Sequence, residues 1–257
     1  MQLVRFELNP KQDSARVSWG IRTAAGIADL GSGPSALAGC MLEAIRNWST
    51  IRDRVEVASR DAAIVEESVR LLSPVPEGGK LICIGLNYRD HAIESGMDIP
   101  GEPVVFNKLA GALCGPNDDI ALPGCSQKVD YEAELVIVMG RRAWQVTPEQ
   151  VDDTIFGYTC GNDVSARDWQ IGRPGGQWLL GKSFPRFAPI GPHLIPREFI
   201  SDPSNLDISL RINGETFQQS NTRQLIFPPR ELISYLSQVC VLEAGDIIFT
   251  GTPPGVG

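Results

Sequence analysis

Two glutamates separated by one residue open an apolar run in Val129-Asp130-Tyr131-Glu132-Ala133-Glu134-Leu135-Val136-Ile137-Val138-Met139-Gly140. The part from Leu135 to Met139 reads as a strand. Strand residues two apart project to the same side, so Glu132 and Glu134 face one way. Neighbouring carboxylates repel unless a cation sits between them. A hard divalent ion such as Mg²⁺ prefers such oxygens. A solvated strand end would carry the same pair, so the rest of the chain has to decide between the two readings.

Four further clusters carry side chains with chemical potential. In Gly85-Leu86-Asn87-Tyr88-Arg89-Asp90-His91-Ala92-Ile93-Glu94, the spacing predicts a short helix after a strand, with His91 and Glu94 on one face. A carboxylate beside an imidazole fixes its tautomer and raises its basicity, although a surface His–Glu pair has the same spacing. In Gly161-Asn162-Asp163-Val164-Ser165-Ala166-Arg167-Asp168-Trp169-Gln170, Asp163 stands where a strand gives way to a turn or helix. That is a place for a ligand or for an N-cap. Three carboxylates plus water would make an octahedral Mg²⁺ or Mn²⁺ site with positions left for substrate. Lys182, in Gly181-Lys182-Ser183, is expected to be partly buried and to need an anionic partner. Read from Gly176, this segment spells a phosphate loop. Its interior Gln177-Trp178-Leu179-Leu180 reads as strand, however, and Pro185 cuts off the helix that should follow. Nucleotide binding is therefore set aside. The fifth cluster is Thr250-Gly251-Thr252-Pro253-Pro254-Gly255, where backbone N–H groups and a threonine hydroxyl suit a carboxylate, or where the chain merely turns.

The elements that must position these groups are mostly strands. Residues 1 to about 30 alternate as short strands, and Pro34–Ile51 and Ala58–Leu72 read as helical. Ser73-Pro74-Val75-Pro76-Glu77-Gly78-Gly79 has the composition of a linker. It divides a small N-terminal α+β subdomain, 1–73, from a catalytic domain, 74–257. Leu81–Leu86, Pro103–Phe106 and Asp246–Thr250 are strand candidates; Leu206–Ile212 runs into an Asn213-Gly214 hairpin turn, and Pro229 opens a helix to about Gln238. The net charge of −8 argues against nucleic acid as a partner. No apolar run approaches the roughly 20 residues that span a bilayer. The N-terminus lacks the architecture of a signal or transit peptide, so a cytoplasmic protein is expected. The six cysteines, without metal-type spacing, read as reduced and mostly buried. Only two histidines, His91 and His193, are available for imidazole chemistry.

Taken in order, these segments resemble the fumarylacetoacetate hydrolase family. The carrying residues are Gly85-Leu86-Asn87-Tyr88-x-x-His91-x-x-Glu94, Asp130-x-Glu132-x-Glu134-Leu135, Asn162-Asp163-x-Ser165-Ala166-Arg167-Asp168-x-Gln170, Gly181-Lys182-Ser183-Phe184 and Thr250-Gly251-Thr252-Pro253. The segment Gln177–Lys182 looks most like the domain-containing-protein-2 branch and the bacterial diketo-sugar-acid hydrolases. The resemblance implies a β-rich mixed α+β fold, with a β-sandwich roll as catalytic core, and a homodimer. It implies Glu132, Glu134 and Asp163 as ligands of Mg²⁺, with Mn²⁺ or Ca²⁺ as substitutes. His91 and Glu94 would be a catalytic dyad on a lid, with Lys182 beside them. Arg167, Gln170, Gly251 and Thr252 would bind substrate. It also implies further strand beyond the position of Gly257, so a shortened C-terminal end is expected. The implied substrate is a small 2-oxo or 2,4-dioxo acid reacting through a metal-bound enolate. Hydrolytic C–C cleavage of an acylpyruvate is the first expectation; oxaloacetate tautomerisation or decarboxylation, and a non-catalytic metal-binding protein, are the alternatives.

Overall fold

Every residue of Ala133–Met139 is buried, which places this strand in the middle of a sheet. In the computed structural model, which describes residues 1–10, 14–34, 36–65 and 69–257, it is one of sixteen strands among the described residues. The N-terminal part supplies β1 (Leu3–Leu8), β2 (Arg16–Thr23), β3 (Gly26–Asp29), α1 (Met41–Arg46), α2 (Trp48–Asp61), β4 (Ile64–Val65) and β5 (Arg70–Leu71). Then come β6 (Leu81–Gly85), α3 (Arg89–Ser95), β7 (Val104–Lys108), β8 (Leu113–Cys114), β9 (Val129–Asp130), β10 (Ala133–Met139), β11 (Ile155–Asn162) and β12 (Ser165–Ala166). The chain continues through α4 (Arg167–Gln170), α5 (Trp178–Lys182), β13 (Ala188–Pro196), β14 (Asp207–Ile212), β15 (Glu215–Asn221), α6 (Pro229–Val239) and β16 (Ile247–Phe249).

The large sheet runs β4-β3-β2-β1-β13-β11-β10-β16-β6-β7. Along that path only β16 and β6 run parallel. The result is a mixed α+β fold with a mostly antiparallel sheet, as the sequence predicts. The N-terminal strands join the rest through β1 and β13, where Leu3 faces Leu194. Alternation along β10 sends its side chains to two apolar clusters. Val136 and Val138 pack with Trp48, Ile51 and Val55, the apolar face of α2, while Ile137 and Met139 pack with Leu232, Ile233 and Leu236 of α6. Pro229 stands in the first turn of α6, where its missing N–H costs nothing.

Local signals hold where the turn chemistry is strong. Asn213 and Gly214 both take positive φ, 52° and 89°, and join β14 to β15. Three expectations are corrected. The helix predicted over 58–72 ends at Asp61, because β-branched Ile64-Val65 pairs with β3 and Arg70-Leu71 pairs with β1; residues 66–68 lie outside the described ones. The helix predicted from Pro34 starts only at Met41, after the Gly39-Cys40 turn, and Ser35 is likewise outside. Gln177–Leu180 is not strand: Trp178–Lys182 closes one helical turn, with Gly181 N–H donating to the Gln177 carbonyl at 2.9 Å. The cysteines are also less buried than expected. All six are free, and only Cys83 and Cys114 are buried; Cys40, Cys125 and Cys160 are exposed.

Candidate active site

Strand β10, the residue just before it and the turn after β11 bring three carboxylates together. Oxygens of Glu132, Glu134 and Asp163 lie within 4.8 Å of one another, and all three residues are buried. The Asp163 N–H donates to the Glu132 carbonyl at 2.9 Å, which fixes the two segments in register. So much buried negative charge requires compensation. Lys182 Nζ donates to Glu132 Oε2 at 2.7 Å and to Asp163 Oδ2 at 2.8 Å. Lys108 Nζ pairs with Asp163 Oδ1 and donates to the Val164 carbonyl at 3.0 Å. Burial alone would push the Asp163 carboxyl up, but the two ammonium groups hold it below its ordinary value. Burial would likewise lower Lys182, yet Asp163 and Glu132 keep it above the usual lysine range. Glu134 lacks an ammonium partner among the described residues; burial first, then Asp163 and Glu132, push its carboxyl well up. This oxygen-only, net-negative donor set fits a hard divalent cation, which would compensate the Glu134 charge directly.

Arg167 helps to hold this cluster. Its Nε and Nη2 donate to Asp130 Oδ2 at 2.9 and 2.5 Å, while Nη1 reaches Glu132 Oε1 at 2.7 Å and Gln170 Oε1 at 2.9 Å. The resemblance implies a substrate contact for Arg167; its geometry is that of a clamp on Glu132. Gln170, oriented by Arg167, keeps its amide N–H groups for the cleft wall.

The Thr250–Gly255 turn is similarly committed. Gly251 N–H donates to Glu134 Oε2 at 2.6 Å. Gly251 sits at φ +97°, and a Cβ there would meet Asn87 Cβ at 2.7 Å, so glycine is required. Thr252 Oγ1 donates to the Ala133 carbonyl at 2.9 Å and accepts from Gln218 Nε2 at 2.8 Å. Neither the Gly251 N–H nor the threonine hydroxyl proton expected for a carboxylate ligand is therefore left over. Among the described residues, the Thr252 backbone N–H has no protein partner and remains for that role.

Helix α3 carries the predicted pair, with His91 Nδ1 3.3 Å from Glu94 Oε2. A carboxylate only accepts, so Nδ1 carries the proton and Nε2 is the basic nitrogen. Glu94 Oε2 also accepts from Gly255 N–H at 3.1 Å, which ties α3 to the C-terminal turn. His91, Glu132, Arg167, Gln170, Lys182 and Thr252 all line one cleft of about 710 Å³. Glu134 and Asp163 lie buried beneath it, and Glu94 stands behind His91. The structure thus brings every predicted site residue to one place.

Three participants were given no role by the sequence reading, although two of them, Asn87 and Asp130, stand in its motifs. Lys108, at the end of β7, is buried against Asp163; its one signal is the i,i+2 relation to Phe106, which turns both to the same side. Asp130 anchors Arg167. Asn87 is wholly buried: its amide donates to the Thr250 carbonyl at 2.8 Å and the Phe227 carbonyl at 3.0 Å, and its oxygen accepts from Phe227 N–H at 2.8 Å.

Comparison with known proteins agrees with this architecture. Residues 80–257 match the profile of the fumarylacetoacetate (FAA) hydrolase C-terminal family. The mitochondrial oxaloacetate tautomerase fahd2 of Xenopus laevis is 40% identical over 259 residues, spanning 100% of this chain and 81% of the relative. Among solved structures, the fumarylacetoacetate hydrolase of Exiguobacterium antarcticum superposes with a TM-score of 0.86 at 34% identity, covering 100% of this chain and 88% of that one. Maleylpyruvate hydrolase from Sphingobium sp. SYK-6, crystallised with manganese(II) and pyruvate, gives 0.82 at 32% identity, covering 100% and 90%. Matched by profile, by sequence over its whole length and by fold, this chain belongs to the fumarylacetoacetate hydrolase family.

Proposed function

We propose that the protein is a divalent-metal-dependent enzyme that moves a proton at C3 of a 2-oxo acid, interconverting keto and enol forms. The observation that carries this is the buried Glu132–Glu134–Asp163 cluster beneath a cleft that His91 also lines. The named activity of the Xenopus laevis relative supports the tautomerase reading. Mg²⁺ or Mn²⁺ held by the three carboxylates would act as a Lewis acid that favours the enolate of a 2-oxo acid. Lys182 pairs with Glu132 and Asp163 and holds both carboxylates in place, and Arg167 holds Glu132 from its other oxygen. The Thr252 N–H and the Gln170 amide donate to the substrate carboxylate. His91 Nε2 takes the C3 proton, and Glu94 stabilises the resulting imidazolium through Nδ1. Returning that proton to oxygen gives the enol; returning it to C3 gives the ketone.

Hydrolysis of an acylpyruvate is the second reading. The same dyad can activate water instead of abstracting a carbon-bound proton, and the maleylpyruvate hydrolase likeness favours it. Proton NMR of the Mg²⁺-loaded protein separates the two. Faster keto–enol exchange of oxaloacetate without breakdown supports the tautomerase. Pyruvate plus a carboxylic acid released from an acylpyruvate supports the hydrolase. No change in either substrate overturns both.

A further inference from the structure

Helix α3 carries His91 but has little apolar anchorage. It has no side-chain cap at its N-terminus, and of Arg89–Ser95 only Ala92 is buried. So short a helix is not stable by itself, so polar ties must set its position. Arg89 Nη1 donates to the Leu225 carbonyl at 2.6 Å, and Glu94 accepts from Gly255 N–H at 3.1 Å. A third tie passes through the residue beside the base. Asp90 Oδ1 accepts from the His91 backbone N–H at 3.0 Å, and Asp90 Oδ2 accepts from Ser220 Oγ at 2.5 Å. One carboxylate thus links Ser220 to the backbone of the residue that bears the imidazole.

Ser220 lies on β15. Strands β14 and β15 form a two-stranded sheet of their own, separate from the large one. A lone hairpin is marginally stable, so it too needs an anchor, and Gln218 supplies one. This side chain is wholly buried. Its Oε1 accepts from Ala133 N–H at 2.8 Å, and its Nε2 donates to Thr252 Oγ1 at 2.8 Å and to the Pro253 carbonyl at 2.9 Å. Ala133 stands between Glu132 and Glu134. Gln218 and Ser220 pair regularly with Leu210 and Ile208, so they share a face, one strand repeat of roughly 7 Å apart. A short stretch of β15 therefore reaches the carboxylate floor at one end and the His91 helix at the other.

We propose that β15 is a strut that sets the distance of His91 from the carboxylate cluster, with Ser220 and Asp90 as positioning residues. Neither is among the residues lining the cleft; Ser220 acts through Asp90, and Asp90 through the backbone of His91. The proposal rests on the reading of His91 as the base and adds what holds it at working distance. That distance matters because a displacement of about 1 Å can cost roughly 10²-fold in rate.

The test measures turnover of oxaloacetate or an acylpyruvate, whichever the Mg²⁺-loaded protein converts, together with Mn²⁺ affinity by electron paramagnetic resonance. The proteins are the unmutated chain, Ser220→Ala, Ser220→Thr, His91→Ala and the Ser220→Ala/His91→Ala double variant. Ser220→Ala should lower kcat roughly ten- to a hundredfold, with KM and Mn²⁺ affinity unchanged, because no group touching metal or substrate is altered. Ser220→Thr keeps the hydroxyl and should restore most of the rate. In the double variant, Ser220→Ala should cost nothing beyond His91→Ala, since its effect passes through the missing imidazole. A serine that merely supports the fold would lower turnover equally in both backgrounds. Unchanged kcat in Ser220→Ala, or a further loss of the same size on top of His91→Ala, overturns the strut while leaving His91 as base. Unchanged turnover in His91→Ala, or conversion of neither substrate by the unmutated chain, removes the base reading and the proposal with it.

Discussion

Lys108→Met tests the electrostatics of the site most sharply. The substitution keeps a long apolar stem but removes an ammonium that is buried against an equally buried Asp163. Asp163 then keeps a single cationic partner, Lys182 Nζ at 2.8 Å. Removing one member of a buried pair costs about 3–5 kcal/mol. The surviving lysine argues for the lower end, about 3 kcal/mol, or roughly 6–12 °C in melting temperature for a chain of this size. That loss applies to the metal-free protein. A divalent ion entering the carboxylate cluster meets one positive charge fewer in the variant, so it should bind more tightly and return part of the lost stability. Thermal and urea denaturation, each in EDTA and in saturating Mn²⁺, reads both effects. The expected pattern is a large destabilisation in EDTA that shrinks in Mn²⁺. An equal loss under both conditions, or none in EDTA, would refute the charge-balance argument.

Asn87→Ala should cost about 2–4 kcal/mol by urea denaturation, since it leaves the buried polar groups of Thr250 and Phe227 without partners. It should also weaken metal binding, because Gly251, which holds Glu134, packs on Asn87. His91→Ala should lower turnover roughly 10²-fold or more while Mn²⁺ still binds; unchanged turnover would remove His91 from the role of base. Far from the site, the Asp152 carboxyl is held below its ordinary value by the Arg230 side chain, against the opposing effect of burial, with Arg197 contributing. A depressed acid stabilises the fold above its unfolded pKa, near about 3.9, and loses that contribution as pH falls through the folded value. Arg230→Met should therefore be less stable than the unmutated protein at pH 7, with the gap closing below about pH 4 in denaturation curves.

What could be read from the sequence is what local rules fix. Leu135–Met139 is apolar on both faces and becomes a central strand; Asn213-Gly214 turns because both residues tolerate positive φ. Glu132, one residue before β10, and Glu134, within it, reach the same carboxylate cluster, as their i,i+2 spacing predicts. The rest depends on partners distant in sequence. A lysine at a strand end ordinarily marks a solvent edge, so nothing near Lys108 announces a carboxylate 55 residues away. Ile64-Val65 leaves the predicted helix because β3 offers a ladder, a tertiary effect that local propensity cannot register. Arg167 and Thr252 were legible as site residues, but which of their polar atoms are already engaged was not. Only the geometry shows that the guanidinium pairs with Asp130 and Glu132 and that the hydroxyl proton is taken by the Ala133 carbonyl.

The central claim is that Glu132, Glu134 and Asp163 hold a divalent cation. Mn²⁺ titration followed by electron paramagnetic resonance, on the unmutated protein and on Glu132→Gln, Glu134→Gln and Asp163→Asn, tests it without reference to any substrate. One tightly bound Mn²⁺ per chain is predicted, with affinity roughly 100-fold or more lower in each variant. Stoichiometric binding of unchanged affinity in all three variants would contradict the account.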